Sequence, residues 1–115
     1  MKTITNIDEC NKVLKDFNGA SAQIWLFHIT HKRLALRIWL WSEAEHQVQK
    51  EIYIVALGCE HIVGGFFLEN ANLLIVKTNN EFSEPIYKII DENSDFELIA
   101  NAGIGLLDSI DWNNG

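Results

Sequence analysis

The chain is short of basic residues. Nine lysines and arginines stand against sixteen acids, for a formal net charge of −7, and Lys32-Arg33 is the only adjacent basic pair. Binding DNA or RNA requires cations that displace the counterions condensed on phosphates. Neither nucleic acid nor an anionic membrane is therefore an expected partner. Cysteine is almost missing as well. Cys10 and Cys59 cannot build a disulfide scaffold, and two reduced thiols are the ordinary condition of a cytoplasmic protein. No apolar run approaches the ~18 residues of a membrane-spanning helix. The opening MKTITNIDEC carries acids and amides where a secretion signal needs an apolar stretch. A cytoplasmic location is the expectation. Proline occurs once, at Pro85, so few positions are barred from regular structure.

Catalytic signatures are also wanting. There is no Gly-x-Ser-x-Gly, His-Glu-x-x-His or paired Cys-x-x-Cys, and Gly103-Ile104-Gly105 is too short to cradle a phosphate. The acid-rich Asp91-Glu92-Asn93-Ser94-Asp95 has oxygen donors at alternate positions. A calcium loop beginning there would need glycine sixth and glutamate twelfth, but the chain has Phe96 and Ala102. A solvated hairpin turn is the better reading.

What is present is 48% apolar, enough for one domain over residues 1–115 to bury a core without metal or disulfide. In TNIDECNKVLKDFNG, Asn6 is placed to cap a helix with Glu9 reaching back. Ile7, Cys10, Val13, Leu14 and Phe17 share one face, and Asn18-Gly19 ends it. The period then changes. Residues 22–29 and 34–41 read as a hairpin, followed by strand-like runs at 51–57, 61–69 and 72–78. Gly58-Cys59-Glu60 and Asn70-Ala71 serve as turns between these runs, and Gly64-Gly65 as a bulge or sharp bend. Residues 84–100 read as a last hairpin, and the tail beyond Asp108 as loosely held. The expected fold is α+β, an N-terminal helix packed on a curled antiparallel meander of five to seven strands. A small sandwich or barrel with one helix is the alternative.

Two constellations bear on function. In LGCEHIVGG, Cys59, Glu60 and His61 adjoin, and a meander would bring them to the same end as His28 and His31. Nitrogen and sulfur donors suit zinc, but neither half has a standard spacing, and no helix start follows Cys59 to lower its pKa. The polar corner of a hairpin is preferred to a metal or nucleophile site, so no catalytic residue, cofactor or metal is assigned.

The second constellation lies in LALRIWLWSE. Leu34, Leu36, Ile38 and Leu40 form a core face, while Arg37, Trp39 and Trp41 share the other. Large rings beside a charge suit a recognition surface. A second core layer under the helix would also explain them, and the apolar run at 22–29 favours a sheet covered on both sides there. The expected function is non-catalytic binding of a protein through Arg37, Trp39 and Trp41. The expected partner is a basic protein steered by the acidic charge or a second copy, and the role that of an adaptor or inhibitor. The alternative is a small-molecule-binding domain or enzyme, with Tyr53, Tyr87, His28 or His61 turned into a pocket between helix and sheet.

Overall fold

The structure is a computed structural model describing residues 3–30 and 32–108. The expected helix is α1, Ile7–Lys15. Its amino terminus is closed by Asn6, whose side-chain oxygen accepts the Glu9 backbone N–H at 3.1 Å. Asp8 and Glu9 in the first turn and Lys12 and Lys15 in the last complement the helix dipole. Gly19, at φ +84°, turns the chain away beyond the end of α1. Cys10, Leu14 and Phe17 are buried, so the apolar stripe faces the core.

The strands are β1 (Thr3–Ile4), β2 (Ala20–His28), β3 (Arg33–Ser42), β4 (Gln47–Val63), β5 (Phe67–Ala71), β6 (Leu73–Asn79), β7 (Pro85–Asp91) and β8 (Glu97–Leu107). They form one antiparallel sheet in the order β5-β2-β3-β4-β8-β7-β6, with β1 also paired to β8. The class is the expected one: a helix on a curled antiparallel sheet. Consecutive strands pair within β2-β3-β4 and within β6-β7-β8, so the chain makes two short meanders. The neighbour rule fails at β4–β5 and β5–β6, because β5 returns along the outer edge of β2.

The two meanders are joined by β4. Its seventeen residues pair with β3 through Gln47–Leu57 and with β8 through Tyr53–Val63. Gly58-Cys59-Glu60 is therefore no hairpin turn, contrary to the sequence reading. The chain continues through it as a bulged strand, with register shifts on either side of Cys59. Strict alternation would point Cys59 outward with Leu57. The bulges rotate it inward instead, in line with Ala56 and Ile62, while Glu60 and His61 stay exposed. Gly58 permits this. It lies at φ +69°, and a methyl group there would sit 2.0 Å from Asn101 Oδ1. Gly64-Gly65 is the sharp bend, and it divides the expected 61–69 strand into the end of β4 and the start of β5.

The core gathers on the concave side, where Leu36, Ile38, Ile54, Ile75, Ile89, Leu98 and Leu106 meet Cys10 and Leu14. The β7–β8 turn is the expected Asp91–Asp95. Burial alone would raise the Asp91 carboxyl, but hydrogen bonds from the Asn72 backbone N–H, the Ser94 hydroxyl and the Asn93 backbone N–H hold it below the ordinary aspartate value. The expected loose tail lies outside the described residues.

Helix and sheet are also fastened by a polar clasp. Asn11 donates from Nδ2 to the Ile75 carbonyl at 2.9 Å, and its Oδ1 accepts the Ile75 N–H at 2.8 Å. Both backbone groups lie on the edge of β6 away from β7, an edge that would otherwise offer pairing sites to another chain. Asn11→Ala is expected to lower stability by about 1–3 kcal/mol, through loss of both hydrogen bonds beside the core. Urea denaturation measures this, and an unchanged midpoint would remove the clasp from the account.

Candidate functional site

The outer face of β2-β3-β4 collects the residues singled out in LALRIWLWSE. Register places Arg37 between Gln23 and Tyr53, and Trp39 between Ser21 and Glu51. The Arg37 guanidinium lies 4.5 Å from the Trp39 ring centroid and 5.0 Å from that of Trp25. Both distances are within cation–π range. Glu51 fixes the guanidinium from one side: Arg37 Nε donates to Glu51 Oε2 at 2.8 Å, and Nη2 reaches the same oxygen. The Tyr53 hydroxyl donates to Glu51 Oε1 at 2.8 Å. Phe67 of β5 extends the aromatic row, its ring centroid 6.0 Å from that of Trp39 and tilted by 60°.

These side chains are not a core layer under the helix. α1 packs against β6 on the concave side, leaving the outer face of β2 and β3 uncovered by it. Trp41 is 51% exposed and Trp25 43% exposed, while Trp39 is half-buried by its neighbours on the same face. The structure thus brings Arg37 and Trp39 together, with Trp41 two residues along the same strand. Three members escaped the sequence reading. Trp25 stood in a run apolar on both faces and was assigned to covered sheet. Phe67 reaches Trp39 only through the β5–β2 pairing. Glu51 was one of sixteen acids with nothing local to mark it.

The electrostatics follow from this packing. Burial raises the Glu51 carboxyl, but the hydrogen bonds from Arg37 and Tyr53 and the guanidinium charge outweigh it and bring its pKa below the ordinary glutamate value. The Tyr53 phenol moves upward, through burial and the adjacent carboxylate, so it stays a donor.

The other candidates do not converge. Cys59 is buried within β4, and burial pushes its thiol up, as it does for Cys10. Neither resembles an activated nucleophile. The β2–β3 turn does approach the bulge: the Cys59 N–H donates to the Lys32 carbonyl at 2.8 Å, and Lys32 Nζ lies 3.7 Å from Glu60. No group of three His, Cys, Asp or Glu side chains arranged for a metal occurs among the described residues, and His31 lies outside them. Nor do the polar groups proposed for a pocket meet. Tyr53 belongs to the outer face with Glu51, His61 is exposed, and Tyr87 packs on the core from β7. Cys10 and Leu14 fill the space between helix and sheet. A shallow hollow of about 380 Å³ lies elsewhere, over Gly103 and Gly105 beside Val55 and Leu57. No helix among the described residues is long and apolar enough to cross a membrane. No protein-family model, curated protein or solved structure matches the chain.

Two outcomes are expected. The lowered Glu51 pKa contributes stability that is complete above the unfolded-state value and is lost as pH falls through the folded-state value. Glu51→Gln should therefore be less stable than the parent at neutral pH, with the gap closing on acidification. Urea titrations across a pH series read this, and a pH-independent gap would contradict it. Both thiols should react with an aromatic disulfide reagent far more slowly in the native protein than in urea. Rapid native labelling of Cys59 would reopen the nucleophile reading.

Proposed function

We propose that this is a non-catalytic cytoplasmic protein that binds a basic protein partner through the aromatic face of β2-β3-β4. The observation carrying this reading is the Trp25–Arg37–Trp39 stack, locked by Glu51 and flanked by the half-exposed Trp41. Tryptophan and arginine dominate binding energy where they occur at interfaces. Here their rotamers are held in place before any partner arrives, which reduces the entropy lost on association.

Charge supports a basic partner. Arg37 is neutralised by Glu51, so the stack presents rings rather than a free cation. Around it stand exposed acids: Glu43 and Glu45 in the turn after Trp41, and Glu69 beyond Phe67 on β5. An apolar centre with an acidic rim attracts a cationic surface and speeds its encounter, in keeping with the net charge of −7.

The test begins with affinity capture from a cytoplasmic extract and identification of the captured protein, followed by calorimetric titration of that purified protein. Trp41→Ala, at an exposed site that leaves the fold intact, is expected to weaken binding about 30-fold or more, the loss typical of a hot-spot residue. Added salt should slow association. A captured partner that is acidic, or one that binds the variant as tightly as the parent, would overturn the proposal.

A further inference from the structure

We infer that the protein pairs with a second copy of itself, strand to strand, along the outer edge of β2 at Leu26–His28. This edge adjoins the partner-binding face and shares Trp25 and Phe67 with its margin, but the inference does not depend on that reading.

The edge is created by the shortness of β5. That strand pairs with β2 only through Ala20–Gln23, and one further hydrogen bond runs from the Ile24 N–H to the Phe66 carbonyl at 2.9 Å. Beyond it, Leu26, Phe27 and His28 pair with Ala35, Leu34 and Arg33 on the β3 side. Among the described residues no strand pairs with these three on the other side. Proteins ordinarily protect such an edge with lysine, proline or an inward charge. Here residues 19–31, GASAQIWLFHITH, contain no Asp, Glu, Lys, Arg or Pro in a chain where 22% of residues are charged.

The side chains bordering the edge are apolar and open. Ile29 is 80% exposed, Phe66 72% and Phe67 47%, with Phe27 and Trp25 also well exposed. Trp25 and Phe67 border the edge on the outer face and Phe27, opposite Leu34, on the core side. The five together present on the order of 500 Å² of apolar surface, since an aromatic side chain offers 150–250 Å² in full. Strand-to-strand pairing covers both faces beside the joined edges, and this area is most of the roughly 800 Å² per partner of a standard interface.

Charge selects the occupant. Two chains of net charge −7 repel unless they meet where neither carries charge, and residues 19–31 are such a place. A basic protein gains nothing from a neutral edge and is drawn to the acidic rim around Trp41 instead. A two-fold axis near Phe27 and His28 makes the two β2 strands antiparallel, the commonest closed symmetry. Each Ile29 and Phe66 then packs across the axis, and the two aromatic faces lie side by side on one continuous sheet.

Sedimentation equilibrium over a wide concentration range, on the full chain, tests this. The parent should pass from monomer to dimer. Ile29→Lys changes a side chain that supports no core, and it should weaken dimerisation at least tenfold by setting a cation against its symmetry mate. Phe27→Lys serves as a second variant. Trp41→Ala should leave dimerisation unchanged, which separates this inference from the partner-binding one. Hydrogen exchange at those amides of Leu26–His28 that point away from β3, which alternate with the ones bonded to it, should slow as concentration rises. A parent that stays monomeric throughout, or dimers indifferent to both lysines with no change in exchange, would overturn the inference.

Discussion

The molecule depends on the double pairing of β4. A strand of ordinary length serves one neighbour along each edge over the same residues. This one is shared out lengthwise, its first part to β3 and its later part to β8, with an overlap at Tyr53–Leu57. Each meander alone is three strands with one apolar face, and only β4 makes them a single curved surface able to enclose α1. The strand is bulged at Gly58, where positive φ and the Asn101 amide above it leave no room for a side chain. The same irregularity turns Cys59 inward, which explains why a thiol in a polar-looking segment is an inert part of the core.

The outer face inherits its order from that strand. Glu51 and Tyr53 are successive outward residues of β4, and their carboxylate–phenol pair is the fixture against which Arg37 is held. Arg37 in turn separates and supports Trp25 and Trp39 on two different strands. Three adjacent strands thus contribute to one rigid arrangement in which a cation has been internalised among rings. A lysine could not substitute for it, because only the planar guanidinium can donate from two of its nitrogens to the carboxylate while lying over two rings.

Legibility in the sequence tracked the range of the interactions. The Asn6 cap, the Gly19 exit and the Asp91–Asp95 turn each rest on contacts within a few residues, and residue type alone sufficed to place them. The two faces of β3 were equally readable, since alternation is local. Gly58-Cys59-Glu60 was misread because a glycine beside polar residues marks a bulge as well as it marks a turn. What separates the two is whether a partner strand continues, and β8 lies some forty residues further on. Phe67 and Glu51 were invisible as site members for the same reason. The strand-to-strand registers that bring them to Trp39 and Arg37 are written nowhere near either residue.

The Asn11 clasp has a kinetic corollary. Its partner Ile75 is 64 positions distant in the chain, so closing it requires most of the intervening polypeptide to be arranged already. Nine residues of α1 are too few to persist as an isolated helix in water. The helix therefore consolidates only as the β6–β7 ribbon comes within its reach, which makes its docking a late step of assembly and places the molecule among high-contact-order, slow-folding domains. An element that precedes β2–β8 in the chain is thus among the last to acquire its native surroundings.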